Sequence, residues 1–245
     1  MKLSVVIPAH NEEGSISETV TALFETLERE KIDHEILVIN DNSSDETENV
    51  LNGLAADIPT LSYFNSPESP GFGFAIRYGL LKFNGDCVAI MMADLSDSPE
   101  DLVAFYRKLL EGYDCVFGDR WGKDGRVTNY PPAKKFLNRL ANSLVRMTFG
   151  FKYGDCTNAF KLYRRETIDG LKPFLAPHFN LTLELPLKAI VRGYNFAVVP
   201  NSWENRKTGT SKLKINEMGS RYFFILLYCL IEKYFSRGDF KKKQL

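Results

Sequence analysis

The sequence predicts an α/β protein built on a doubly wound, mostly parallel sheet with flanking helices. Three observations carry this expectation. Residues 3–7, 35–39 and 87–92 are near-continuous apolar runs, the pattern of strands buried on both faces. Between the first two, Ile16, Val20, Leu23, Phe24 and Leu27 recur at helical spacing, which makes a β-α-β opening. Each apolar run ends in a polar, acidic stretch, where a sheet of this class binds its ligands.

The remaining elements follow in order. Residues 45–54 suit a second helix opened by the caps Ser43, Ser44 and Asp45; residues 61–64 suit a short strand and 73–83 a third helix. Beyond them, 99–110 reads as a helix, 115–118 as a strand, and 131–149 as a long helix with charged and apolar faces. Residues 205–214 are polar and contain glycine, as a loop does, and 218–235 read as a C-terminal helix. With no internal repeat and no low-complexity linker, one domain is expected over 1–212, followed by an amphipathic helical segment over 213–245.

Composition narrows the function. At 245 residues and 44% hydrophobic content the chain can bury a substantial core. Lys plus Arg and Asp plus Glu are equal at 31 each, so no overall field draws it to nucleic acid or anionic lipid, and any basic site is local. Cys87, Cys115, Cys156 and Cys229 stand singly, without metal-ligand or disulfide spacing, which suits reduced thiols in the cytoplasm. The first apolar run stops at Pro8, too short for a signal-peptide core.

The strand-end loops carry the chemistry. The first is Pro8-Ala9-His10-Asn11-Glu12-Glu13, the second runs from Asn40-Asp41 to Asp45, and the third is Ala93-Asp94-Leu95-Ser96-Asp97. Three acidic loops on one sheet edge repel one another unless a cation or hydrogen-bond donors neutralise them, which points to a divalent metal and to sugar or base hydroxyls. Asp, Asn and Ser are also ordinary caps and turn formers. Capping is the simpler role for Ser43, Ser44 and Asp45, ligand binding for Asp41 and Asp94.

These segments resemble the inverting family 2 glycosyltransferases, in the branch of dolichol-phosphate mannosyltransferases and polyprenyl-phosphate sugar transferases. The likeness runs in order through residues 5–12, 39–47 and 92–100, then Gly71-Phe72-Gly73, Gly118-Asp119-Arg120-Trp121, 155–161, Glu184 and 205–213. It implies a GT-A-type fold and transfer of a hexose from a nucleotide sugar, GDP-mannose or a UDP-sugar, to a polyprenyl or dolichyl phosphate. By the same likeness, Pro8, His10, Glu12, Ile39 and Asp41 form the nucleoside pocket. Ala93, Asp94 and Ser96 line the diphosphate and a Mg²⁺ or Mn²⁺ ion, and Arg120, Arg206 and Lys212 hold the nucleotide sugar. Lys134 and Asn138 stand where the acceptor phosphate is contacted. Asp155 and Glu184 orient cations or the donor sugar, or serve as structural ion-pair partners.

Two positions depart from the family pattern. Met92 replaces the first acid of the Asp-x-Asp metal motif, and a thioether is a poor ligand for a hard cation. Asp94, diphosphate oxygens, waters and either Ser96 or Asp97 can complete an octahedron, so weaker or altered metal dependence is expected. Ala159 and Lys161 stand where Gly and Arg are common, which removes any bidentate contact there.

The acceptor is read from an absence and a presence. The paired acids and Gln-x-x-Arg-Trp motif of processive relatives are not evident, whereas Lys134, Lys135 and Arg139 supply cations for an acceptor that is already anionic. The apolar stretch 222–231 has ten residues, half of a bilayer span, and basic residues flank it. It fits a helix lying on the cytoplasmic face of a membrane, packed on its own domain, or packed against a second copy of the chain.

Rival classes fit less well. A dinucleotide fingerprint fails because Ile76 occupies the third glycine position. A nucleotidyltransferase needs a basic triphosphate loop after the first strand, and this one is acidic. Transfer to a hydroxyl acceptor is the runner-up, and Met92 keeps a catalytically silent nucleotide-sugar-binding subunit in view.

Overall fold

The computed structural model describes residues 1–205 and 215–242. The first half runs Leu3–Ala9 (β1), Ile16–Arg29 (α1), His34–Asn40 (β2), Thr47–Asp57 (α2), Leu61–Asn65 (β3), Phe72–Lys82 (α3) and Cys87–Ile90 (β4). Every residue of β1 is buried, so the strand has no polar face and sits inside a sheet covered on both sides. It pairs in parallel with β2 and β4. Its side chains alternate: Val5 and Ile7 join Ile16, Val20, Leu23 and Leu27 of α1 in one core layer, while Val6 joins Ile76 and Leu80 of α3 in the other.

The second half continues with Pro99–Leu110 (α4), Cys115–Asp119 (β5), Arg126–Thr128 (β6), Pro132–Phe149 (α5), Lys161–Arg164 (β7), Arg165–Gly170 (α6), Leu181–Arg192 (α7), Phe196–Pro200 (β8), Ser202–Glu204 (β9) and Ile215–Phe235 (α8). Among the described residues the central sheet has seven strands in the order β3-β2-β1-β4-β7-β5-β8. All neighbours are parallel except β7, which runs antiparallel to both β4 and β5. β6 and β9 form a separate parallel pair beside the sheet.

The expected elements are present with shifted ends. The second helix opens at Thr47, because the Asp45 carboxylate accepts from the Thr47 amide (3.1 Å) and hydroxyl (2.5 Å) in the turn before it. β4 ends at Ile90, ahead of the acidic loop. The C-terminal helix α8 packs on α7. Ile225 and Cys229 are wholly buried in the core, and the Arg192 guanidinium donates to Glu232 at 2.7 and 2.8 Å.

Candidate active site

The loops leaving β1, β2 and β4 open into one cleft of about 570 Å³. Pro8, His10 and Glu12 line it from the first loop, Asp41 from the second, and Met92, Asp94, Ser96 and Asp97 from the third. Left-handed turns at Asn11 (φ 51°) and Asn42 (φ 56°), a conformation that asparagine tolerates, latch the first two loops together. The Asn11 amide donates to Ser43 Oγ at 3.0 Å, and the Ser44 amide returns a bond to Asn11 Oδ1 at 2.7 Å. His10 Nδ1 lies 2.6 Å from the Asp41 carbonyl. The Asp41 carboxylate accepts from the Gly71 amide at 2.9 Å, at the positive end of α3.

The third loop turns through Leu95, whose φ of 52° is rare for a residue with a Cβ. The Ser96 amide donates to Asp94 Oδ1 at 3.2 Å. Asp97 is 2% exposed, and its Oδ2 has no hydrogen-bond partner among the described residues. Burial first, then the Asp94 charge, push its carboxyl up to about 7 against the pull of Arg120.

The opposite wall comes from the second half. Arg120 lines the cleft at the end of β5 and is held from behind by Asp155, which accepts from Nε and Nη2 at 2.8 Å each and from the Arg120 amide at 3.0 Å. Burial works against the guanidinium charge, and the Asp155 carboxylate overcomes it, so Arg120 titrates above its ordinary value. Lys134 and Asn138 line the cleft from the first turns of α5. Asn138 is fixed by Trp121 Nε1 (3.1 Å) and Thr157 Oγ1 (2.9 Å).

Six residues expected at the site do not line the cleft. Ile39 is wholly buried in the core under α3, as the parallel pairing of β2 at a central position requires. Ala93 is 2% exposed, and its carbonyl is taken by Thr19 Oγ1 at 2.9 Å. Asp155 is wholly buried and paired with Arg120. Glu184 is also buried, bound to the Leu175 and Ala176 amides and to Lys188. Lys135 and Arg139 do not line the cleft; they lie over the Trp121 ring at 5.3 and 5.9 Å. Arg206 and Lys212 fall outside the described residues.

The sequence reasoning missed the aromatic walls. Trp203 of β9 meets Tyr130 at 4.8 Å between ring centroids, Phe72 stacks on Phe179 at 4.4 Å, and all four line the cleft. These residues come from four separate segments, so no local spacing announces them. His178, Arg221 and Tyr222 complete this side.

A doubly wound sheet whose strand ends gather carboxylates against a wall of arginine, lysine and aromatic rings is the GT-A arrangement of nucleotide-diphospho-sugar transferases. The match of residues 4–171 to the profile described as Glycosyl transferase family 2 is specific, and the chain belongs to that family. It is 29% identical over 208 residues to glycosyltransferase AglD of Haloferax volcanii and 28% identical over 218 residues to a dolichol-phosphate mannosyltransferase of Pyrococcus furiosus. It is 31% identical over 213 residues to an undecaprenyl-phosphate 4-deoxy-4-formamido-L-arabinose transferase of Enterobacter. The matches cover 83%, 87% and 86% of this chain but 33%, 60% and 62% of the relatives, so the chain spans between one third and just over three fifths of their lengths. The fold is shared with glucosyl-3-phosphoglycerate synthase of Mycobacterium tuberculosis at a TM-score of 0.70 and 21% identity, over 93% of this chain and 79% of that one. That enzyme has been crystallised with Mn²⁺, UDP and phosphoglyceric acid.

Proposed function

We propose that the chain transfers a hexose from a nucleoside-diphosphate sugar, GDP-mannose or a UDP-sugar, to a polyprenyl or dolichyl phosphate, with inversion at the anomeric carbon. The division of charge across the cleft carries this reading. Its carboxylates, Glu12, Asp41, Asp94 and Asp97, all come from the first-half loops, whereas the described lining from residue 120 onward holds Arg120, Lys134 and Arg221 and no acid. A hydroxyl acceptor needs a base there. A phosphate monoester is already ionised and needs cations to steer it.

In this reading His10, Glu12 and Asp41 hold the nucleoside, and Lys134 and Asn138 hold the acceptor phosphate. One phosphate oxygen attacks the anomeric carbon as its bond to the diphosphate breaks, and Arg120, fixed by Asp155, meets the charge that grows on the departing group. Among the described residues no three His, Cys, Asp or Glu side chains gather to hold a metal, so phosphate oxygens must complete any ligand set. Oxygen donors on Asp94 and Ser96, with the orphaned Asp97 Oδ2 beside them in the cleft, suit Mg²⁺ or Mn²⁺. Bound there, such an ion supplies charge stabilisation to the leaving diphosphate. The relatives named for dolichol-phosphate and undecaprenyl-phosphate transfer support the acceptor class.

The lipid also needs a surface. α5 lines the cleft with Lys134 in its first turn and α8 with Arg221 and Tyr222, and the two helices meet where Lys233 Nζ donates to the Phe149 carbonyl at 2.8 Å. Phe136, Leu140, Leu144 and Met147 of α5 and Phe223, Phe224, Leu227 and Ile231 of α8 are exposed. No helix among the described residues is long and apolar enough to cross a membrane. The exposed apolar faces of α5 and α8 support the reading of a peripheral seat on the cytoplasmic face of a membrane.

A hydroxyl acceptor is the second reading, favoured by His178, a proton-accepting residue type on the acceptor wall. The test is transfer from GDP-mannose, UDP-glucose and UDP-N-acetylglucosamine to a short polyprenyl phosphate with Mg²⁺ or Mn²⁺. Lys134→Ala is expected to raise the KM for the lipid phosphate at least about tenfold, the loss of one charge-assisted contact, with donor binding intact. Transfer to a hydroxyl acceptor that His178→Ala abolishes and Lys134→Ala spares would replace the first reading with the second.

A further inference from the structure

We propose that Asp97 is a ligand of the divalent cation, taking the place of the carboxylate that position 92 lacks. The assignment rests on the transferase reading above and concerns this chain's own third strand-end loop. Met92 lines the cleft, but its thioether is a soft donor and binds Mg²⁺ or Mn²⁺ poorly. Asp94 alone leaves one protein carboxylate for an ion that must also clamp a diphosphate.

The local backbone supplies another. The chain bends at the left-handed Leu95 between Asp94 and Asp97, and both residues line the same cleft. Asp97 immediately precedes the N-cap of α4, where Ser98 Oγ accepts from the Glu100 amide at 3.2 Å. The side chain is 2% exposed, yet Oδ2 has no partner among the described residues. A buried carboxylate oxygen without a donor costs its full desolvation, and an ion is one of the few things that repay it. Arg120 attracts the Asp97 carboxylate electrostatically, but its Nε and Nη2 are committed to Asp155. A dication between Asp94 and Asp97 both satisfies the orphaned oxygen and cancels the repulsion of the two acids.

The experiment is a Mn²⁺ titration of the full chain with GDP or UDP present, read by electron paramagnetic resonance of the free ion, beside nucleotide affinity measured without metal. Asp97→Asn, close in shape and without the buried charge, is expected to weaken Mn²⁺ binding about tenfold or more while metal-free nucleotide affinity does not fall. Adding Met92→Asp to that variant is expected to restore the loss. Wild-type Mn²⁺ affinity in Asp97→Asn overturns the assignment. If the Asn variant does not fold, Met92→Asp alone decides. A gain within about twofold means the ligand set was already complete, and a gain of about tenfold or more means that it was not and overturns the proposal. Failure of the wild-type chain to bind either nucleotide, with or without Mn²⁺, overturns the transferase reading itself and this assignment with it.

Discussion

Lys161 is 1% exposed, with Nζ donating to the Cys156 and Thr182 carbonyls at 3.1 and 3.4 Å. Burial lowers it to about 7, against the pull of the Asp155 charge. An unfolded lysine titrates near 10.4, so between about pH 7 and 10 the unfolded chain holds a proton that the folded chain has released. Stability from this group therefore rises across that window, by at most about 1.4 kcal/mol per pH unit, and is lost as the pH falls to 7. Urea unfolding of wild type and Lys161→Met at pH 7, 8, 9 and 10 measures it. The wild type should gain on the variant at each step, and a constant difference would mean that Lys161 keeps its charge when folded. At this scale the sequence was legible for polar residues that follow a buried strand: His10, Glu12, Asp41 and Asp94 all line the cleft. It was not legible for direction. Ile39, Ala93 and Asp155 stand among the same motifs, and burial, which depends on what packs above them, turns them away.

Among the elements, α3 comes close to β1 at Gly79, where an added Cβ would stand 2.4 Å from Val6 Cγ1. Val6 is β-branched and buried, so it cannot swing aside. Gly79→Ala should cost about 1 to 3 kcal/mol by overpacking, seen as a lower Tm, despite alanine's better helix propensity; an unchanged or raised Tm would show that the helix lifts freely. The parallel β-α-β start was readable because long apolar runs and helical spacing coincide there. β7 was not, since Lys-Leu-Tyr-Arg is too short to display a period and is charged at both ends. α7 was hidden for another reason: Pro186 lies inside it, and in a sequence proline reads as a helix breaker.

For the whole molecule, the exposed stripe on α5 is the feature that composition concealed, because equal numbers of acids and bases say nothing about where apolar side chains gather. Replacing Phe136 and Leu140 by serine should reduce flotation of the full chain with anionic vesicles severalfold while donor binding is unchanged. Equal flotation of the two proteins would move the membrane contact off α5. The other helix of this face, α8, is clamped by a buried pair, since Arg192 bonds not only Glu232 but also the Gly170 and Lys172 carbonyls at 2.6 and 2.9 Å. Peeling the helix away would strand a guanidinium among carbonyls and a carboxylate in the core, a loss of about 3 to 5 kcal/mol for a broken buried pair. That cost holds the helix on the domain. On the proposed membrane seat the protein would land with this helix already in place, so that the height and tilt of the cleft above the bilayer would be properties of the folded chain, set before the first lipid is met.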